Sequence, residues 1–163
     1  LPVISIGKIS DIFAGKGISK SVKAPNNDGI INQILDQMKV VHEGLIFANL
    51  VDFDSKFGHR RDVSGYANAI EEFDKRLPEI LKLTGDNDLL LITADHGCDP
   101  TTEGSDHTRE YVPLLAWSKS MATGVALGDR PSFADAGATL ATYFDAGNIA
   151  AGESLFALLG LPA

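Results

Sequence analysis

Two spacings of apolar residues recur along the chain, and they predict its secondary structure. Short continuous runs have the length of strands buried on both faces of a sheet, and they occupy residues 1–6, 45–51 and 89–93. Repeats every three or four positions predict helices over residues 30–41 and 62–81. We expect two shorter helices, one over 138–144 capped by Ser132 or Asp135 and one over 154–159. Strands that alternate with helices predict an α/β protein with a mostly parallel sheet and helices on both faces.

Polar and conformationally special residues mark the ends of these elements. The cluster at residues 26–28 (NND) predicts the N-cap of the first long helix, which we expect Gly44 to end. Asp62 predicts the cap of the second helix, and Pro78 predicts a kink or break within it. Residues 111–117 (YVPLLAW) form a further candidate strand, which Pro113 places close to a sheet edge.

Composition narrows the class of protein. The 163 residues suit one domain, and 44% apolar content suits a folded globular chain. A net charge of −8 disfavours nucleic acid as a partner, and no apolar run is long enough to span a membrane. The single cysteine, Cys98, fits a reducing compartment, so we expect a cytoplasmic protein.

Carboxylates and histidines follow two of the predicted strands. One cluster holds Asp52, Asp54 and His59, and the others are the pairs Asp95-His96 and Asp106-His107. The fourth histidine, His42, lies at a helix end and shares none of these features. Any single pair could be a cap or a hydrogen-bonded loop residue, but their recurrence at strand ends favours metal ligands. A mixed Asp and His set suits Zn²⁺, Mn²⁺ or Fe²⁺ better than Ca²⁺ or Mg²⁺.

The number of candidate ligands predicts two metal ions about 4 Å apart, an arrangement typical of phosphoryl transfer. Lys8 follows a strand, which is either a ligand-binding position or an ordinary surface site. Arg109 could contact a phosphate or pair with Asp106 or Glu110. Cys98 lies beside the ligands, but no dedicated base or oxyanion site accompanies it, which disfavours cysteine catalysis.

Three groups of motifs resemble the phosphopentomutases, a family of the alkaline phosphatase superfamily. The matching residues are 7–15, then 49–54 with 58–62, then 93–97, 99–101 and 104–113. They keep the family's order and span most of the chain. The resemblance implies an alkaline phosphatase-like three-layer α/β/α core, of which this chain would be the C-terminal half.

The resemblance also implies roles for individual residues. It assigns Asp54, His59 and His107 to one Mn²⁺ ion, and Asp95 and His96 to a second. It makes Asp52 a neighbour of the ligands and Lys8 a residue that holds the sugar phosphate. Cys98 stands where the family usually has Asn.

The implied activity is the interconversion of ribose 1-phosphate and ribose 5-phosphate, and of the deoxy forms, through a phosphothreonine. The family's threonine nucleophile, an Asp ligand near its N-terminus and its cap domain lie outside this sequence. We therefore expect residues 1–163 to be a single domain, the C-terminal portion of the metal-binding core, without mutase activity of its own. An exposed sheet edge would favour association between copies.

Two other functions remain open at this point. The metal ligands would equally suit a cofactor-independent phosphoglycerate mutase or another phosphotransferase of the superfamily. A metal-binding domain without catalysis is the alternative of a different class. Residues 106–113 (DHTREYVP) favour the pentomutase.

Overall fold

The computed structural model describes residues 1–147 and 149–161, and the chain forms two compact units. The first unit contains Leu1–Leu83 and His96–Tyr111, and the second contains Thr84–Asp95 and the described residues from Val112 onward. The expectation of a single domain stays a prediction. Among the described residues, no helix combines the length and apolar character needed to cross a bilayer.

The α/β class predicted from the apolar pattern is confirmed. The first unit contains β1 (Val3–Ile6), α1 (Ile9–Ile12), β2 (Lys20–Val22), α2 (Asn27–Met38), β3 (Leu45–Ala48), a π-helical turn (Phe53–Gly58) and α3 (Val63–Leu83). The second unit contains β4 (Leu90–Ile92), β5 (Leu115–Trp117) and α4 (Ala134–Tyr143).

The sheet of the first unit is parallel throughout, in the order β2-β1-β3. Ile4 and Ile6 lie two positions apart on β1, so both face α2 and pack with its Ile30 in the core. β2 was not predicted, because its three residues carry no apolar run. β2 and β3 are the outer strands, and association of copies through such an edge stays a prediction.

Helix α2 begins where the sequence indicates but ends earlier. The side chain of Asn26 accepts a hydrogen bond from the Gly29 N–H at 2.8 Å, which confirms the predicted cap. The helix ends at Met38, short of the predicted end at Gly44. Gly44 serves another purpose: its φ is +140°, and a Cβ there would lie 2.4 Å from the Pro2 carbonyl oxygen. Glycine therefore lets the chain pass Pro2 as it enters β3.

Helix α3 is capped by Asp62, which accepts a hydrogen bond from the Gly65 N–H at 2.8 Å. The prediction at Pro78 was a kink or a break; a break is wrong, since α3 continues through Pro78 to Leu83. Proline removes the hydrogen bond to the carbonyl of Asp74, four residues earlier. Both residues are exposed, so water can satisfy that carbonyl.

The second unit departs from the predicted parallel arrangement, because β4 and β5 pair antiparallel with Leu90 opposite Trp117. The strand expected at 111–117 forms only from Leu115, after Pro113, which has no N–H to donate. The Ser132 hydroxyl accepts a hydrogen bond from the Ala134 N–H at the start of α4. The helix predicted at 154–159 is instead a turn, closed by the Leu159 N–H and the Leu155 carbonyl at 3.0 Å.

Candidate metal centre

The π-helical turn after β3 places Asp54 beside His59. The His59 N–H donates to the Asp54 carbonyl at 3.0 Å, a closure of five residues. In an α-helix of 3.6 residues per turn, side chains five positions apart point in different directions. The wider turn instead brings His59 Nε2 to 3.1 Å from Asp54 Oδ1. Such turns are frequent at functional sites.

A second segment, the 96–111 loop (His96–Tyr111), supplies the other two histidines. Gly97 and Thr108 form an antiparallel bridge, and the Asp99 N–H donates to the Thr108 hydroxyl at 2.6 Å. A Cβ on Gly97 would lie 2.5 Å from the Glu110 nitrogen, so only glycine allows this closure. The loop therefore returns on itself within a few residues of each histidine.

His96 and His107 lie side by side as a result. Their rings stack with centroids 3.7 Å apart, and the rings of His59 and His107 lie 4.9 Å apart. The distances from Asp54 Oδ1 to the Nε2 atoms of His107 and His96 are 3.4 and 3.9 Å. Three imidazoles thus converge on one carboxylate, and the ligand atoms of Asp54, His96 and His107 all lie within 4.8 Å of one another.

Backbone carbonyls orient two of these rings. His59 Nδ1 lies 2.5 Å from the Ser105 carbonyl oxygen, and His96 Nδ1 lies 2.9 Å from that of Gly97. A carbonyl only accepts hydrogen bonds, so we assign the proton to Nδ1 in both rings. The Nε2 lone pairs then face the Asp54 carboxylate, an arrangement that a bound cation or ring protonation would stabilise. Imidazole and carboxylate donors suit a divalent transition metal, so these residues fit the expected ion.

Residue spacing alone left open whether Asp52 is a metal ligand. In the structure it forms hydrogen bonds with Asn27 at the N-terminus of α2. Its Oδ2 accepts hydrogen bonds from the Asn27 N–H at 3.0 Å and from Lys56 Nζ at 3.1 Å. The Asn27 side chain in turn accepts from the Asp52 N–H at 2.9 Å. This reciprocal pair fixes the start of the π-helical turn against the N-terminus of α2.

The other candidates, Asp95, Lys8 and Arg109, are exposed. Asp95 is exposed and belongs to the second unit, whose chain enters the 96–111 loop at His96. Lys8 is exposed at the end of β1, where α1 begins. Arg109 is exposed and forms neither of the ion pairs that the sequence allowed, with Asp106 or with Glu110, among the described residues.

Cys98 is half-buried, and a Cβ on Gly58 would lie 2.8 Å from its sulfur. Gly58 therefore makes room for it. Burial raises the pKa of the Cys98 thiol, and burial also raises the pKa of the Tyr66 hydroxyl. In the metal-free chain Cys98 is therefore a neutral thiol near neutral pH.

Arg61 belongs to the site although the sequence does not single it out, and its guanidinium contacts several carbonyls of the 96–111 loop. It adjoins Arg60, which is exposed and has no side-chain hydrogen bond among the described residues. Nothing in the local sequence distinguishes the two arginines.

Comparison with known proteins agrees with the motifs. The chain is 55% identical to the phosphopentomutase of Caldanaerobacter subterraneus subsp. tengcongensis over 159 residues, which are 98% of this chain and 40% of the relative. It is 53% identical to that of Shewanella loihica over 156 residues (95% and 38%), and 51% identical to that of Acetivibrio thermocellus over 152 residues (93% and 39%). The predicted resemblance is confirmed, and the chain spans about 40% of the length of these relatives.

A family model described as the metalloenzyme superfamily matches residues 3–148. The match includes the π-helical turn and the 96–111 loop, and therefore all three imidazoles around Asp54. The chain belongs to the metalloenzyme superfamily.

Proposed function

We propose that this chain is the metal-binding part of a phosphopentomutase, which interconverts ribose 1-phosphate and ribose 5-phosphate and their deoxy forms. Relatives with that name are 51–55% identical to nearly the whole chain. The chain covers only about 40% of their length, so the activity would belong to a longer polypeptide. The threonine that carries the phosphate would lie outside these residues. The single cysteine fits a cytoplasmic enzyme.

The convergence of three imidazoles on Asp54 Oδ1 is the observation that carries the metal assignment. Asp54, His59 and His107 would hold one Mn²⁺, and Asp95 and His96 would hold the other. Because His96 Nε2 lies in the same cluster as Asp54 and His107, the two ions would be neighbours. When bound, such a pair polarises phosphoryl oxygens and offsets the negative charge of the transition state.

The chain's own residues prepare this site. The Ser105 and Gly97 carbonyls hold the Nδ1 protons of His59 and His96, so both Nε2 atoms face the ligand position without a change of tautomer. Lys8, at the end of β1, would bind the phosphate of the sugar as a point charge. The acidic chain would need these cations because its substrate is an anion.

Metal analysis of the chain and two histidine variants tests the proposal. Mn²⁺ binding, measured by electron paramagnetic resonance of the free ion, should weaken at least about 10-fold in His107→Ala, because a direct ligand is lost. His42→Ala is the matched control, since His42 is exposed and outside the cluster, and it should bind as the wild type does. Unchanged metal content in His107→Ala would contradict the ligand assignment, and mutase turnover by this chain alone would contradict the external threonine.

A further inference from the structure

Arg61 occupies a backbone conformation that side chains rarely adopt. Its φ is +53°, in the left-handed region, and it lies three residues after Gly58, where the π-helical turn ends. The Arg61 N–H donates to the Gly58 carbonyl at 3.1 Å. This conformation turns the half-buried side chain back toward the 96–111 loop. Contacts of the side chain must compensate for the strained backbone.

The guanidinium of Arg61 is surrounded by backbone carbonyls. Nε donates to the Gly104 oxygen and Nη2 to the Asp106 oxygen, both at 2.6 Å. Nη1 donates to the Asp99 oxygen at 3.1 Å and to the Gly58 oxygen at 3.4 Å. The planar guanidinium thus connects the end of the π-helical turn to a loop about forty positions later in the chain.

The two short contacts flank Ser105, the residue that orients His59. The carbonyls of Gly104 and Asp106 are held by Arg61, while the carbonyl between them accepts the His59 Nδ1 proton. Asp106 also directly precedes His107. Arg61 therefore fixes the backbone on both sides of the His59 acceptor, and at the residue before another imidazole of the cluster.

We propose that Arg61 is a positioning residue of the metal centre: its guanidinium sets the His59 tautomer and the location of His107. This inference rests on the proposed metal site. Lysine cannot replace arginine here, because an ammonium is a compact point charge and cannot reach three separated carbonyls as a planar fork does. The guanidinium of Arg61 donates its hydrogen bonds to neutral carbonyls and not to Asp54. The Asp54 carboxylate therefore faces the imidazoles and would be available to bind the ion.

Two variants of Arg61 separate the effect of the guanidinium hydrogen bonds from the effect of the left-handed backbone conformation. Arg61→Gly keeps the left-handed conformation without strain and removes the guanidinium, and Arg61→Lys keeps the charge without the fork. Both should bind Mn²⁺ about 10- to 100-fold more weakly than the wild type. Arg60→Ala and Arg60→Lys are the matched controls, and both should bind within about twofold. Guanidinium ion at tens of millimolar should restore part of the affinity of Arg61→Gly and should not affect Arg61→Lys.

A second measurement needs no metal. In ¹⁵N spectra of the histidine rings of the metal-free chain, His59 should carry its proton on Nδ1 in the wild type and in the Arg60 variants. It should become a mixture of tautomers in Arg61→Gly and Arg61→Lys. Circular dichroism shows whether each variant folds. If Arg61→Gly does not fold, the metal affinity and the His59 tautomer of Arg61→Lys test the proposal.

The outcomes separate the two proposals. A wild-type chain that binds no Mn²⁺ contradicts the proposed function, while the His59 spectra still test Arg61. A wild type that binds Mn²⁺, together with Arg61 variants of equal affinity and an unchanged His59 tautomer, overturns the role of Arg61.

Discussion

Each unit of the chain contains a partly buried arginine that organises its surroundings, and the two arginines are used differently. Arg61 in the first unit donates to backbone carbonyls of the 96–111 loop. Arg130 in the second unit donates through Nε to Asp135 Oδ2 at 2.6 Å and through Nη2 to Glu153 Oε2 at 3.0 Å. Arg61 thus binds neutral carbonyl groups, and Arg130 binds carboxylates.

The difference decides where negative charge remains. Asp135 is only 2% exposed, and Arg130 and the Glu153 N–H at 2.9 Å satisfy both of its oxygens. Its charge is therefore neutralised within the second unit. In the first unit Asp54 faces three imidazoles and, among the described residues, no arginine, so its charge is available to a cation. An arginine that binds carbonyls can thus order a site without removing its charge.

The largest effect on stability should come from breaking the carboxylate anchor. Asp135→Ala should lower the free energy of unfolding by about 3 kcal/mol, because it leaves the Glu153 N–H and the Nε of Arg130 without their partner. Glu153→Gln, at an exposed end of the same cluster, should cost less than about 0.5 kcal/mol. Urea unfolding measures both. Equal losses of unfolding free energy in the two variants would contradict the prediction that the buried carboxylate of Asp135 contributes more to stability than the exposed carboxylate of Glu153.

A smaller loss of stability, with a large loss of metal affinity, should follow from opening the 96–111 loop. Gly97→Ala places a methyl group against the Glu110 backbone, and overpacking of this kind costs about 2 kcal/mol. Gly124→Ala meets no atom within 4 Å and should be neutral in both measurements. If Gly97→Ala bound Mn²⁺ as the wild type does, the bridge between Gly97 and Thr108 would not position the histidines.

The smallest of the three effects is a pH dependence that belongs to the second unit. The Glu153 N–H and the Arg130 guanidinium hold the pKa of Asp135 below its usual range. Because the folded pKa is lowered, the stabilisation is complete above the unfolded value of about 4 and is lost as pH falls through the folded pKa. The stabilities of the wild type and Asp135→Asn should therefore converge in urea titrations as pH falls below about 4. A constant difference at all pH values would contradict the charged pairing.

Local signals in the sequence predicted the elements that depend on local interactions. The caps at Asn26 and Asp62 were recognisable because a polar side chain satisfies N–H groups two or three residues away. β2 was not recognisable, since its place in the sheet comes from pairing with β1, as between Val22 and Ile6. The uninterrupted α3 at Pro78 likewise depends on the exposure of that face of the helix.

The metal centre likewise has features that the local sequence indicates and features that depend on long-range contacts. Residue types and spacing were enough to identify Asp54, His59, His96 and His107 as candidate ligands, because metal chemistry restricts the side chains that can serve. Their distances, the Nδ1 contact of His59 with Ser105 and the role of Arg61 join segments about forty positions apart. Contacts of that kind follow from how the backbone closes in three dimensions, and two neighbouring arginines in one sequence cannot reveal which of them the fold turns inward.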